Sequence, residues 1–192
     1  MALEGAGCTR RALLGGVAAL GVLAPLRALG QAPASAAVKL RPQPGDRLVH
    51  APLEAAPRPL AADDLAPGAP PVSAWPWAPD AALARDGSRL NLVRVLRLDP
   101  SALSAKTAAC AADGVVAYAA MCSHAGCEVA GWNGEARRLV CPCHGSEFAA
   151  LDAAAVAKGP ATQPLAMLPL RSEGGVLVVA RGFTRAVGGK PV

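Results

Sequence analysis

The sequence predicts an all-β domain, and three observations carry that reading. Short apolar runs are separated by turn signals with no convincing βαβ alternation, which argues against a parallel α/β sheet. Glycine (20) and proline (18) are both plentiful, favouring a loop-rich β domain over a helical bundle. Four of the six cysteines and two of the three histidines lie in residues 121–148, MCSHAGCEVAGWNGEARRLVCPCHGSEF, where two Cys/His clusters flank a hairpin signal. The 192 residues suffice for one domain with appendages: a segment 1–30, a segment 31–80 and a domain 81–185. Phe, Trp and Tyr make up only 3% of residues, so a bound cluster or a disulfide would usefully staple the core.

Residues 1–30 read as a targeting segment. Thr9-Arg10-Arg11-Ala12-Leu13-Leu14 places adjacent arginines before an apolar run ending at Ala24, the pattern of a twin-arginine export signal. Pro25 and Arg27 leave the run shorter than the roughly 20 apolar residues that span a bilayer comfortably, so cleavage and retention as an N-terminal membrane anchor both stay open. The expected location is the periplasm or the periplasmic face of a bacterial inner membrane. Net charge is +5, with no basic run interleaved with aromatics, which argues against nucleic acid as a partner.

Residues 31–80 are rich in Ala and Pro, and this proline density predicts a tether or loop-rich wrap without regular helix or central strands. Trp75 and Trp77 are expected to pin its end to the domain. Residues 91–99, NLVRVLRLD, read as a half-buried strand stopped by Pro100. A short helix or loop follows, then a turn at Asp113-Gly114 and a buried strand, VVAYAAM, running into Cys122. Asn133-Gly134 predicts a two-residue hairpin turn between strands at 127–132 and 135–140, which would bring the two clusters side by side at its open end. Gly174-Gly175 turns into a final strand at 176–179, and the last glycines are expected to fray. His50 and Lys158 read as surface residues, and Cys110, Tyr118 and Trp132 as packing.

The clusters are Cys122-Ser123-His124-Ala125-Gly126-Cys127 and Cys141-Pro142-Cys143-His144-Gly145-Ser146. Thiolates suit soft iron or zinc and neutral imidazole suits borderline metals. Four ligands drawn from six candidates leave two over, a division the residue types alone leave open.

CSHAGC and CPCHGS resemble the two cluster-binding boxes of Rieske iron–sulfur proteins. That resemblance implies one 2Fe-2S cluster per chain, with Cys122 and Cys141 on one iron and His124 and His144 on the other. It further implies a Cys127–Cys143 disulfide, which fits the oxidising compartment that the export signal indicates independently. Gly159-Pro160 resembles the start of the family's proline loop, and Ser146 keeps a family hydrogen-bond donor toward a bridging sulfide. The implied fold is an antiparallel β-sandwich whose two cluster loops form a small subdomain at one tip. Two positions depart from quinol-oxidising members: Ala125 stands where a leucine usually lies near the quinol, and Phe148 replaces a tyrosine donor, a loss that predicts a lower reduction potential.

The implied role is one-electron transfer as a subunit of a membrane-associated or periplasmic respiratory oxidoreductase, with no catalytic residue of its own. Its partners would be a larger cytochrome b-type or molybdenum-containing subunit and a cytochrome c or cupredoxin acceptor, with quinol a candidate donor. Ser146-Glu147-Phe148, with Ala117-Tyr118, is more similar to the small Rieske subunits of molybdenum enzymes such as arsenite oxidase. The alternatives are a soluble Rieske-type ferredoxin serving an oxygenase, which normally lacks the disulfide pair, and a structural zinc module, which would leave Cys127 and Cys143 unexplained.

Overall fold

The structure is a computed structural model and describes residues 34–189, so the predicted targeting segment lies outside the described residues. Among those residues, no helix is long and apolar enough to cross a membrane. The α-helices α1 (Ala34–Ala37) and α2 (Ala105–Ala108) are single turns, and the rest of the described residues is strand, short 3-10 turns and loop. α2 is started by Ser104, whose side chain accepts the Thr107 N–H.

The strands are β1 (Arg47–His50), β2 (Val72–Ala78), β3 (Leu83–Ala84), β4 (Val93–Arg97), β5 (Val115–Ala119), β6 (Gly131–Asn133), β7 (Arg138–Val140), β8 (Glu147–Ala149), β9 (Ala155–Lys158), β10 (Leu170–Glu173) and β11 (Val176–Val179). They form a seven-stranded sheet in the order β10-β11-β1-β2-β4-β5, with β3 also on β2, and a four-stranded sheet β6-β7-β8-β9. Every pairing is antiparallel. The larger sheet curls until residues 166–168 bond to β5, with Ala119 N–H donating to Ala166 O (2.8 Å) and Leu168 N–H to Ala117 O (2.9 Å).

β5 is buried along its whole length because it has a core on each face. Val116 and Tyr118 point with Leu96 and Leu98 toward Leu139 and Phe148 of the smaller sheet. Val115 and Ala117 point with Val93, Val95, Leu48 and Leu177 into the inside of the curl. A strand covered on both sides reads as a continuous apolar run, as VVAYA does.

Residues 31–80 are not the strand-free tether that their prolines predict. β1 and β2 sit in the middle of the larger sheet, paired from Arg47↔Trp77 to His50↔Ala74. Pro76 is tolerated because it falls between the stretch of β2 that pairs β4 (Val72 to Ala74) and the stretch that pairs β3 (Trp77 and Ala78). At that break its carbonyl accepts the Arg85 N–H at 2.8 Å, and no ladder donor is lost. The preceding segment is locked by a buried bidentate pair, Arg85 Nε to Asp46 Oδ2 at 2.5 Å and Nη2 to Oδ1 at 2.9 Å. Trp75 packs against Leu92, Ala120 and Met121, as a pinning residue should.

The hairpin between the clusters exists, but its turn differs from the expected one. Asn133 is the last residue of β6, opposite Arg138, so the connection has four residues. Its side chain accepts the Ala136 N–H at 3.0 Å, and the left-handed residue is Arg137 (φ 52°). Gly174-Gly175 does make the tight two-residue turn, with φ of 58° and 84° and Glu173 opposite Val176. The last described glycines do not fray: Gly189 lies so close to the Ser123 and His124 carbonyls that a Cβ would run into both.

Tyr118 ties the sheets together, donating its hydroxyl to the Ala150 carbonyl at 2.6 Å from a fully buried position. Burial pushes its phenol well above the ordinary tyrosine range. Replacement Tyr118→Phe leaves that carbonyl unpaired and should cost about 1–2 kcal/mol of stability, read as a lower denaturation midpoint with an unchanged slope. An unshifted midpoint would show that this bond contributes nothing.

Candidate functional site

The two clusters fold into matched loops. In the first, the Cys122 N–H donates to Cys127 O (2.8 Å) and the Gly126 N–H to Cys122 O (3.0 Å). In the second, the Cys141 N–H donates to Ser146 O (2.8 Å) and the Gly145 N–H to Cys141 O (3.0 Å). Gly126 (φ 71°) and Gly145 (φ 69°) occupy the same left-handed place in each, which a Cβ would strain. Cys122 and Cys141 are thus equivalent first positions, while His124 stands third in its loop and His144 fourth in the other. The shared Cys-x3-Gly frame was present in the sequence as the signal for this equivalence.

The first loop continues directly from β5, and the second joins β7 to β8. Their side chains converge at one tip. The His124 and His144 rings meet edge to face, centroids 4.8 Å apart and planes at 88°. Cys122 and Cys141 are free thiols, each 1% exposed. Cys127 and Cys143 face each other as a disulfide pair with Cα atoms 6.5 Å apart, and Cys141 Sγ lies within 4.8 Å of both their sulfurs. His144 is exposed, whereas His124 is half-buried.

These residues fit a metal cluster on the chemistry of their donors. His124 Nδ1 is buried without a hydrogen-bond partner, an orphan that ligation would satisfy. Burial pushes the Cys122 thiol up, while the backbone N–H groups of His124 and Ala125 aimed at its sulfur pull the other way, the arrangement that favours a thiolate once a cation is present. The Cys141 thiol touches it and adds to the upward shift. Two adjacent sulfurs and two adjacent imidazoles could together hold a group bound half by sulfur and half by nitrogen.

A third segment closes the site from the side. Gly159 (φ 85°) runs so close to the second loop that a Cβ would lie 2.6 Å from Ser146 Cα and 2.8 Å from Gly145 O. The Ala161 N–H donates to the buried Ser146 Oγ at 3.2 Å, which leaves the hydroxyl hydrogen for a second partner. Pro160 is exposed and lines a cleft with Met121, Ser123 and His124. Phe148 is fully buried, in one core with Tyr118, Cys122, Leu139 and Cys141, and Ala125 is exposed at the tip. Lys158 ends β9 and pairs with Glu147 at 3.4 Å; Arg138, hydrogen-bonded to the same carboxyl, is the main group holding it below the usual carboxylate range.

Arg89 was not singled out in the sequence. Its Nε lies 3.1 Å from Met121 Sδ and its Nη2 donates to Gly126 O at 2.6 Å, so one side chain bridges both ends of the first loop. Nothing local marks it, because its partners are more than thirty residues away.

Comparison with known proteins adds an independent line. The family model for the Rieske [2Fe-2S] domain matches residues 91–169. A Haloferax mediterranei protein described as a respiratory nitrate reductase subunit Rieske is 43% identical over 76 residues, 39% of this chain and 34% of that one. The cytochrome bc1 complex Rieske iron-sulfur subunit of Corynebacterium diphtheriae is 40% identical over 73 residues, 38% of this chain and 18% of that one. The corresponding Streptomyces lividans subunit is 32% identical over 96 residues, 49% of this chain and 56% of that one. The chain therefore spans between about a fifth and just over half of the length of these relatives. The family match covers β4 through the third segment and encloses both loops, so residues 91–169 are a Rieske [2Fe-2S] domain, whose cofactor is a 2Fe-2S cluster.

Proposed function

We propose that this chain passes single electrons as the Rieske subunit of a respiratory oxidoreductase, holding its cluster through Cys122, Cys141, His124 and His144. The observation that carries the assignment is the pairing of two buried thiols with two edge-to-face imidazoles on equivalent loops. When bound, a cluster of this kind supplies a one-electron couple at roughly −150 to +300 mV, raised relative to all-cysteine clusters because neutral imidazoles replace two thiolates. The chain's own residues set how that couple is used. Exposed His144 offers the edge through which a partner exchanges the electron, the Cys127–Cys143 disulfide holds the two loops together, and Ser146 directs its hydroxyl toward the site.

A respiratory setting is supported by the relatives, which are named as subunits of a nitrate reductase and of cytochrome bc1 complexes. We place the protein at the periplasmic face of a membrane, exported by the twin-arginine route signalled at residues 9–14, where a disulfide persists. Within that setting its electron source is either a quinol-oxidising cytochrome b-type subunit or a molybdenum-containing large subunit, with a cytochrome c or cupredoxin as acceptor. Ala125 and Phe148 favour the molybdenum reading, since neither supplies what a quinol-oxidising relative has at these places. A ferredoxin serving an oxygenase is the second reading, and the Cys127–Cys143 pair weighs against it.

Spectroscopy of the purified protein and the composition of its native complex decide between these. The purified protein should carry visible absorption and a Rieske-type electron paramagnetic resonance signal; a colourless, zinc-loaded protein would end the electron-transfer reading. The native complex should contain molybdenum, and a haem-bearing complex without it would favour the quinol-oxidising arrangement.

Phe148→Tyr should raise the midpoint, by about 40 mV if the new hydroxyl gains one hydrogen bond of about 1 kcal/mol to the reduced cluster. A fall or no change on redox titration would show that this position does not tune the couple. Cys127→Ser keeps all four proposed ligands but frees the loops, so the visible spectrum should bleach several-fold faster in air; an unchanged lifetime would make the pair dispensable.

A further inference from the structure

We infer that the C-terminal segment, residues 183–189, determines which histidine a redox partner meets, closing the His124 side of the site and leaving the His144 edge open. The inference rests on the ligand assignment proposed above. The segment is fastened along its length. Thr184 makes two bonds to Met167, its N–H to Met167 O at 2.9 Å and its Oγ1 from the Met167 N–H at 3.0 Å. Phe183 lies under the Arg41 guanidinium, 5.1 Å from the ring centre. Arg185 Nη1 donates to Gln163 Oε1 at 3.1 Å, and Gln163 O in turn accepts the Ser123 hydroxyl of the first loop. Val187 packs on Leu92, Ala120 and Met121.

The last two residues bring the strap onto the loop itself. Gly188 takes φ 86°, a turn that favours glycine, and Gly189 rests on the Ser123 and His124 carbonyls in a space no Cβ can enter. Together with Pro160–Ala166 opposite, the strap walls a cleft of about 640 Å³ that has Met121, Ser123 and His124 on its surface. A cleft of that size admits at most a small molecule, not the face of a folded protein. His144 stands outside it and is exposed, so a protein partner reaches the site through His144.

The test uses the full-length protein, labelled with diethyl pyrocarbonate and mapped by peptide mass spectrometry, with the exposed His50 as internal reference. His144 should label measurably, and His124, ligated in the same way, several-fold more slowly, with His50 reporting reagent activity. Gly189→Ala should lift the strap and speed His124 several-fold while leaving the other two unchanged. Deleting residues 186–192 should do the same, and Gly182→Ala, which meets nothing within 4 Å, should change nothing. His124 keeping pace with His144 in the unaltered protein, or staying slow in both strap variants, would overturn the inference. Visible absorption of the same samples reports the cluster separately. Its absence counts against the proposed function, while the labelling contrast still judges the strap.

Discussion

The structure depends on β5 being buried on both faces. One face completes the inside of the curled sheet through Val115 and Ala117, and the other carries Val116 and Tyr118 into the core shared with the four-stranded sheet. Because the chain leaves β5 directly into Cys122, the first loop starts from the most constrained strand of the molecule. The second loop starts from β7 of the sheet that packs on it. Two loops that must hold donors in fixed relation are thereby set on elements sharing one apolar core, rather than on each other alone.

The fold was legible where local rules and global packing agree. NLVRVLRLD, VVAYAAM and VLVV are strands because β-branched and aliphatic residues lie between turn residues, and each reappears as β4, β5 and β11. Residues 47–50, lying between Pro44 and Pro52, and residues 72–78, which contain Pro76, were hidden by prolines. A proline costs a strand only where an N–H must be donated, and the place of Pro76, between two partners of β2, is a property of the assembled sheet that the local sequence does not carry. Asn133 misled for a related reason. An Asn-Gly pair can close a two-residue turn, but here the side chain caps a longer connection in which Arg137 takes the left-handed place.

The site was legible in its donors because all six Cys/His residues fall within a short stretch and their spacing is itself the motif. What surrounds them was less so. Arg89 on Gly126, Gln163 under Ser123, and Gly189 on His124 reach the loop from three separate parts of the chain, and single residues of those types carry no local pattern. The glycines were readable in part: Gly159 by its neighbour Pro160, Gly126 and Gly145 by their shared place in the two boxes. Gly189, in a glycine pair, carried only the expectation of fraying.

The pairing of Arg47 with Val178 also sets an order of events in the life of the polypeptide. β1 is made well before β11, so the curled sheet cannot close until β11 has left the ribosome. Until then the strand that carries the first loop lacks its inner core, and the four loop thiols wait on an unfinished platform. Assembly therefore waits on contacts of long sequence separation that form slowly, and a cofactor delivered too early would meet a site that does not yet exist.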